Sequence, residues 1–227
     1  MYVPEVYRSP DGHAVRLIRE HSLGLLLTNG PIAPFATHLP VIFPPDTQPD
    51  ELETLTGVTL YGHLNRANPH WAALHDGQHA TLVFQGPNAY VSAAVYDMTP
   101  AAPTWNFATT HVHGRITVLP DRHETLQVVC WTVAAFEAQH GLGWDPGPSL
   151  GYFDSIVDGV GAFSFAVESV DTMLKLSQEQ AGHTRDKVVE HFAASPVGLR
   201  RELSCLMTST NPTATSTGSE PNHDGIR

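Results

Sequence analysis

Cysteine is scarce in this chain: Cys130 and Cys205 are the only two among 227 residues, and they form no CxxC pair. That argues against a structural zinc site and suits a reducing compartment. Basic residues are few as well. Twelve Lys and Arg stand against twenty-three Asp and Glu, a formal net charge of −11, and the one basic doublet is Arg200-Arg201. Holding a phosphate backbone takes many cations, so a nucleic-acid partner is disfavoured. No helix-turn-helix with a basic recognition helix is visible. No apolar run reaches the ~18 residues needed to span a bilayer, so no membrane partner is expected. Met1-Tyr2-Val3-Pro4 shows no basic region followed by an apolar stretch, and the expectation is a soluble, cytoplasmic protein. Ser-His-Asp order, a phosphate loop and internal repeats are all missing, and Gly159-Val160-Gly161 is too short for a dinucleotide fingerprint.

What is present fits a globular protein. Hydrophobic residues make up 41% of the chain, which is long enough to bury a core without staples. Residues 11–21 predict a helix capped by Asp11. Short apolar runs at 23–28, 36–43, 58–63, 80–84, 89–95, 109–119 and 161–170 predict strands, punctuated by Gly, Pro, Asn and Asp. Residues 122–140 predict a helix ended at Gly141, and 183–193 and 196–206 predict two more. This pattern is mainly β with peripheral helices (α+β), in a closed or partly open antiparallel barrel. A single domain over 1–206 is expected, with a disordered Thr/Ser/Pro-rich tail over 207–227.

Chemistry concentrates in Gly62-His63-Leu64-Asn65-Arg66-Ala67-Asn68-Pro69-His70-Trp71. A strand end meets a short helix here, with Asn68 as N-cap and Pro69 at the first helical position. An imidazole and a guanidinium beside a helix start suit an anionic or metal-centred ligand. Read alone, the window better suits a plain corner with a buried His and a salt-bridged Arg; the rest of the chain shifts that balance. His is abundant, at fourteen residues, which makes a His-ligated metal centre worth weighing. His38 sits on a predicted strand, where a satisfied core histidine is the plainer alternative. His111 and His113 share one face of an alternating strand. Pro103-Thr104-Trp105-Asn106-Phe107 is an aromatic corner, and Lys175 is a lone base in Met173-Leu174-Lys175-Leu176-Ser177-Gln178.

In order along the chain, Met1-Tyr2-Val3-Pro4, Ala36-Thr37-His38-Leu39-Pro40, the Gly62–Trp71 window, Phe84-Gln85-Gly86-Pro87, Pro103–Phe107, His111-Val112-His113-Gly114 and Lys175–Gln178 resemble the signature of the FMN-binding negative transcriptional regulator family. The resemblance spans residues 1 to about 195. It implies a split β-barrel and a homodimer. Within that family the chain is most similar to a haem-dependent enzyme branch, the piperazate synthases. Asn65 with His70, the Ser149–Phe163 segment, and Glu179-Gln180 after the Lys175 motif carry this finer likeness. Ser92-Ala93-Ala94-Val95-Tyr96 departs from the Ser-Pro-x-Trp-Tyr of the regulators.

The resemblance implies haem b as cofactor, with FMN as the alternative. It implies a small-molecule substrate, L-N5-hydroxyornithine, closed to L-piperazic acid by N–N bond formation with loss of water. His63 is the first candidate for the axial iron ligand, His38 the second, and His111 and His113 follow. Arg66 would pair with a haem propionate or the substrate carboxylate, and Lys175 with either. Asn68, Thr104 and Trp105 complete the expected site. The other reading is an FMN-binding regulator or flavin reductase on the same barrel.

Overall fold

The computed structural model describes residues 1–210. Six antiparallel strands close into a barrel in the order β1-β2-β3-β6-β5-β4. In chain order the elements are α1 (Asp11–Glu20), β1 (Leu23–Thr28), β2 (Phe35–Ile42), β3 (Thr59–Asn65), α2 (Pro69–Ala73), β4 (His79–Val91), α3 (Ala93–Tyr96), β5 (Thr104–Leu119), α4 (Arg122–His140), α5 (Leu150–Ile156), β6 (Val160–Lys175), α6 (Gly182–Ala193) and α7 (Gly198–Ser209).

Strand alternation builds the core. Leu26, Leu39, Leu60, Leu82, Phe84, Val112, Ile116, Phe163 and Phe165 point inward and are almost fully buried, and Ala14, Val15 and Ile18 of α1 join them. Each large side chain removed from water contributes about 1.5–3 kcal/mol. Gly62 makes room for this packing: a Cβ there would lie 2.6 Å from the Phe163 ring. A second cluster seats α6 and α7 through Val188, Phe192, Leu203 and Met207 against Val91, Leu174 and Leu176. No helix among the described residues is long and apolar enough to cross a membrane.

Several expected boundaries move. The runs at 80–84 and 89–95 belong to one strand, β4, up to Val91, and residues 93–96 turn into α3. Gly86-Pro87 sits in a register shift between Gln85 and Asn88, because proline cannot donate to the ladder. Strand β5 begins at Thr104, so the aromatic corner is strand, and β6 extends to Lys175. Asp11 does not cap α1. It opens the helix, and its carboxylate accepts from Thr54 Oγ1 (2.7 Å) and the Leu55 N–H (3.2 Å). Helix α5 lies where no element was expected. Helix α7 runs to Ser209, beyond the expected domain end at 206, and the tail expected from there lies, past residue 210, outside the described residues.

Candidate functional site

Strand β3 turns Leu60, Gly62 and Leu64 inward and Tyr61 and His63 outward, toward the side where α4 packs. Trp131 of α4 meets Tyr61 edge-on at 5.3 Å. His63 beside it is half-buried, and its Nδ1 is buried without a hydrogen-bond partner. Burial holds its pKa below the ordinary histidine value. The ring is therefore neutral near pH 7 with an unspent nitrogen, the state a metal takes as a ligand.

Beyond the strand end the chain folds as its local chemistry dictates. Asn68 caps α2, its Oδ1 accepting from the His70 N–H at 2.9 Å, and Pro69 follows. Asn68 Nδ2 donates to Thr37 Oγ1 at 3.2 Å, so this side chain is spent on structure. Arg66 is exposed. Its Nε donates to the Val160 carbonyl at 2.7 Å and its guanidinium lies 5.5 Å over the Trp71 ring. No salt bridge engages it among the described residues. Trp71 in turn rests on the bare backbone of Gly161, where a Cβ would stand 2.5 Å from the ring.

His70 is the imidazole that the sequence reading left outside the site, and the structure explains its place in the motif. It is 1% exposed, stacks on Phe35 at 5.2 Å, and contacts Thr37 Oγ1 through Nδ1 and Thr28 Oγ1 through Nε2, each at 2.9 Å. A neutral ring satisfies both, one nitrogen donating and one accepting. Burial keeps it neutral. His70 ties α2 to β1 and β2 and has no nitrogen left for a ligand. The plain corner of the sequence reading is thus half present: a buried His, but an Arg without an acid.

His38 is exposed on β2 rather than satisfied in the core. With Leu23, Pro40, Gln85, Phe136 and His140 it lines an open groove of about 600 Å³. His63 is not among the residues that line this groove; the β2–β3 pairing, Val41 with Gly62 and Ile42 with Tyr61, lies one residue short of it. His111 lies farther round the barrel, paired with Val83 and Asp171. His113 meets it edge-on at 6.4 Å and is itself engaged by Thr81 (3.0 Å) and Asp171 (3.5 Å). Burial first, then the Met1 ammonium, lower the His111 pKa.

Thr104, Trp105 and Lys175 form a separate group. Lys175 Nζ donates to Thr104 Oγ1 at 2.6 Å, and Trp105, 50% exposed, donates to Asn88 Oδ1 at 3.2 Å. Strand β6 pairs Ala162 with His63 near its start and ends at Lys175. That is roughly 40 Å of strand at ~3.3 Å per residue. His63, Arg66 and Lys175, expected to act together, are therefore not assembled within one chain. Burial raises the Cys130 pKa, which disfavours its thiolate as a ligand, and Cys205 is exposed on α7. Among the described residues no group of three or more His, Cys, Asp or Glu is arranged to hold a metal ion. A single axial imidazole needs no such group.

A mainly antiparallel closed barrel with peripheral helices is the split-barrel architecture. The chain belongs to the family described as "Putative FMN-binding domain", whose model matches residues 1–169. It is 28% identical over 196 residues to Protease synthase and sporulation protein PAI 2 of Bacillus subtilis, covering 85% of this chain and 89% of that one. An uncharacterized Aspergillus fumigatus protein is 30% identical over 220 residues, with 78% and 84% covered. Among solved structures, the FAD and heme binding protein of Mycobacterium smegmatis superposes with a TM-score of 0.51 at 12% identity, covering 77% and 75%. Flavocytochrome Anf3 of Azotobacter vinelandii gives 0.50 at 13%, covering 76% and 72%. At such identities these two show the shared fold.

Proposed function

We propose that this chain binds a planar redox cofactor on the outer barrel face beside His63, between two copies of itself. The orphaned Nδ1 of His63 carries the placement. The family match supports FMN most directly, and the first reading is a flavin-binding regulator or flavin reductase. Arg66 suits the phosphate, because its guanidinium is exposed, free of acidic partners and able to bind bidentately. Bound flavin would supply hydride or one-electron chemistry, and the chain would supply binding and orientation.

The state of His63 favours a second reading: haem b in a cyclase that joins the two nitrogens of L-N5-hydroxyornithine with loss of water. The fold also occurs in a protein whose name says it binds FAD and heme. Haem, when bound, supplies a Lewis-acidic, electron-donating iron. His63 offers the neutral imidazole, kept so by burial. Arg66 offers a cation for a propionate or the substrate carboxylate. Folding the substrate so that its amine lies against N5 lowers the barrier by proximity.

Two copies are proposed because Leu23, Leu25, Leu27, Pro40 and Val83 point outward from β1, β2 and β4 around the groove, and Leu23 is 65% exposed. Leu25→Glu should shift a dimer to monomer in sedimentation velocity. The absorption spectrum of the purified protein tests the cofactor. A broad blue-light flavin band supports the first reading. A Soret band lost in His63→Leu, with L-N5-hydroxyornithine converted to a product one water lighter, supports the second. A colourless protein that takes up neither FMN nor hemin would end both.

A further inference from the structure

Helix α5 leaves an apolar face to solvent. None of its residues is buried. Leu150, Tyr152 and Ile156 of α5, and Trp144 ahead of it, are about half exposed or more, Tyr152 at 63%. Single exposed apolar side chains are ordinary, but several large ones on one short segment mark an interaction surface. The segment is nevertheless held in place. Arg122, at the start of α4, donates through Nε to Asp158 Oδ1 (3.0 Å) and through Nη1 to Asp154 Oδ1 (2.5 Å), and its Nη2 reaches the Asp154 carbonyl. Trp144 packs on Phe153 with ring centroids 6.4 Å apart. Just past α5, the Gly159 carbonyl accepts from the Arg66 N–H at 2.9 Å. Exposed ion pairs add little stability, so these contacts position the segment rather than bury it. A preformed apolar face loses little conformational freedom on association. Its charge is one-sided: no Lys or Arg lies between Arg122 and Lys175, whereas Asp145, Asp154 and Asp158 fringe the apolar residues.

A matching face lies at the opposite end of β5 and β6. Tyr90 and Trp105 are cross-strand partners on β4 and β5, both about half exposed, with ring centroids 6.0 Å apart. The bond from Trp105 Nε1 to Asn88 fixes its ring. Rigid Trp and Tyr side chains are the usual anchors of protein interfaces. Beside Trp105, Thr104 takes the bond from Lys175, whose ammonium forms no salt bridge among the described residues. Register keeps the two faces apart. Val160, at the start of β6 just past α5, pairs with Asn65, whereas Lys175 at its end pairs with Phe107, two residues from Trp105. That is roughly 50 Å of strand at ~3.3 Å per residue. One chain cannot bring its own two faces together, but a second copy can. A twofold axis passing near Leu25, which lies between His38 and Val83, and running oblique to the strands sets the α5 end of each copy against the β5 start of the other.

We propose that Trp144 and α5 form a docking face for a second copy of this chain, seated on the partner's Tyr90 and the partner's Trp105, with the acidic fringe turned toward the partner's Lys175. The inference rests on the two-copy reading above and names its contact; it holds for either cofactor. Twofold symmetry makes the contact twice, adding to the apolar area around Leu25 toward the ~1,600 Å² that a standard interface buries. Opposite charge at the two faces fixes their register and disfavours a contact between two acidic α5 segments. The same pairing turns the Arg66 end of one copy toward the partner's Lys175, two groups that no single chain assembles.

Tyr152 and Tyr90 are both exposed, so their variants keep the fold, which circular dichroism checks. In sedimentation velocity over a concentration series, Tyr152→Glu and Tyr90→Glu should each weaken the dimer at least tenfold. Tyr152→Cys co-expressed with Tyr90→Cys should give, with a short bis-maleimide, a covalent dimer in which position 152 of one copy is linked to position 90 of the other. Peptide mapping by mass spectrometry separates that link from any through Cys130 or Cys205, and neither variant alone should produce it. A link between position 152 of both copies, or a Tyr152→Glu dimer as tight as the parent's, would overturn the contact and leave the two-copy reading standing. A parent chain that stays monomeric at every concentration would end both. The cofactor reading, judged by absorption, is measured separately.

Discussion

Two imidazoles seven residues apart in one motif should respond in opposite ways to the same substitution. His70→Leu removes a ring that bonds Thr37 and Thr28 and stacks on Phe35. Each neutral hydrogen bond contributes about 1 kcal/mol net, and a buried hydroxyl left unpaired costs about 1–3 kcal/mol. Thr28 is 4% exposed and loses this partner. The expected loss is about 3 kcal/mol, a fall in Tm of roughly 6–12 °C for a chain of this size. His63→Leu removes instead a buried nitrogen with no partner. Exchanging an unsatisfied polar group for an apolar one of similar size is neutral or stabilising, so stability should stay within about 1 kcal/mol of the parent or rise. Urea unfolding followed by tryptophan fluorescence measures both. Visible absorbance per folded molecule supplies the second axis: under the haem reading His63→Leu loses the Soret band and His70→Leu keeps it. A His70→Leu variant as stable as the parent, or a His63→Leu variant several kcal/mol weaker, would refute the division of labour drawn from the hydrogen bonds.

Acid should destabilise the fold well before its carboxylates titrate. The folded-state pKa values of His63 and His70 lie below the ordinary 6.5, chiefly because burial penalises the charged ring. The unfolded chain therefore binds protons that the native state refuses. This stability is fully present above about pH 6.5 and is lost as pH falls toward the folded values, by up to about 1.4 kcal/mol per pH unit for each ring. Urea midpoints at pH 7.5, 6 and 5 check this, and His70→Leu should flatten the dependence. Gly161→Ala should cost about 1–3 kcal/mol by driving a methyl into Trp71, with chemical shifts of Trp71 and Arg66 moving together in NMR spectra. Asp121→Ala should cost about 1 kcal/mol, because Asp121 Oδ1 caps α4 by accepting from the His123 and Glu124 N–H groups (2.8 and 3.0 Å), and thermal melts report it.

Local features were legible in the residues. The strand expected over 58–63, which runs on to Asn65, the Asn68 cap and Pro69 at the first helical position depend on neighbours a few positions away, and the cap and the proline stand as read. So do α4 over 122–140 and the shared face of His111 and His113. The apolar runs either side of Gly86-Pro87 look like two strands because the interruption is real, yet pairing with one continuous β5 carries β4 through it. The three-residue candidate of His63, Arg66 and Lys175 failed to assemble within a chain for a similar reason. Strand β6 pairs with β3 only over Val160–Ala166 but runs on along β5 as far as Lys175, which carries Lys175 away from His63.

Composition and period-two alternation by themselves determined a barrel with peripheral helices, a strongly acidic balance of charge, and a chemistry-bearing corner at residues 62–71. Tertiary structure alone decided which imidazole there is committed. His70 is satisfied by threonines 33 and 42 positions away, brought to it by the β1–β2 pairing, while His63 faces out of the barrel with nothing on its nitrogen. Sequence spacing carries side-chain type and local geometry, but hydrogen-bond partners supplied across a closed sheet exist only once the sheet has closed.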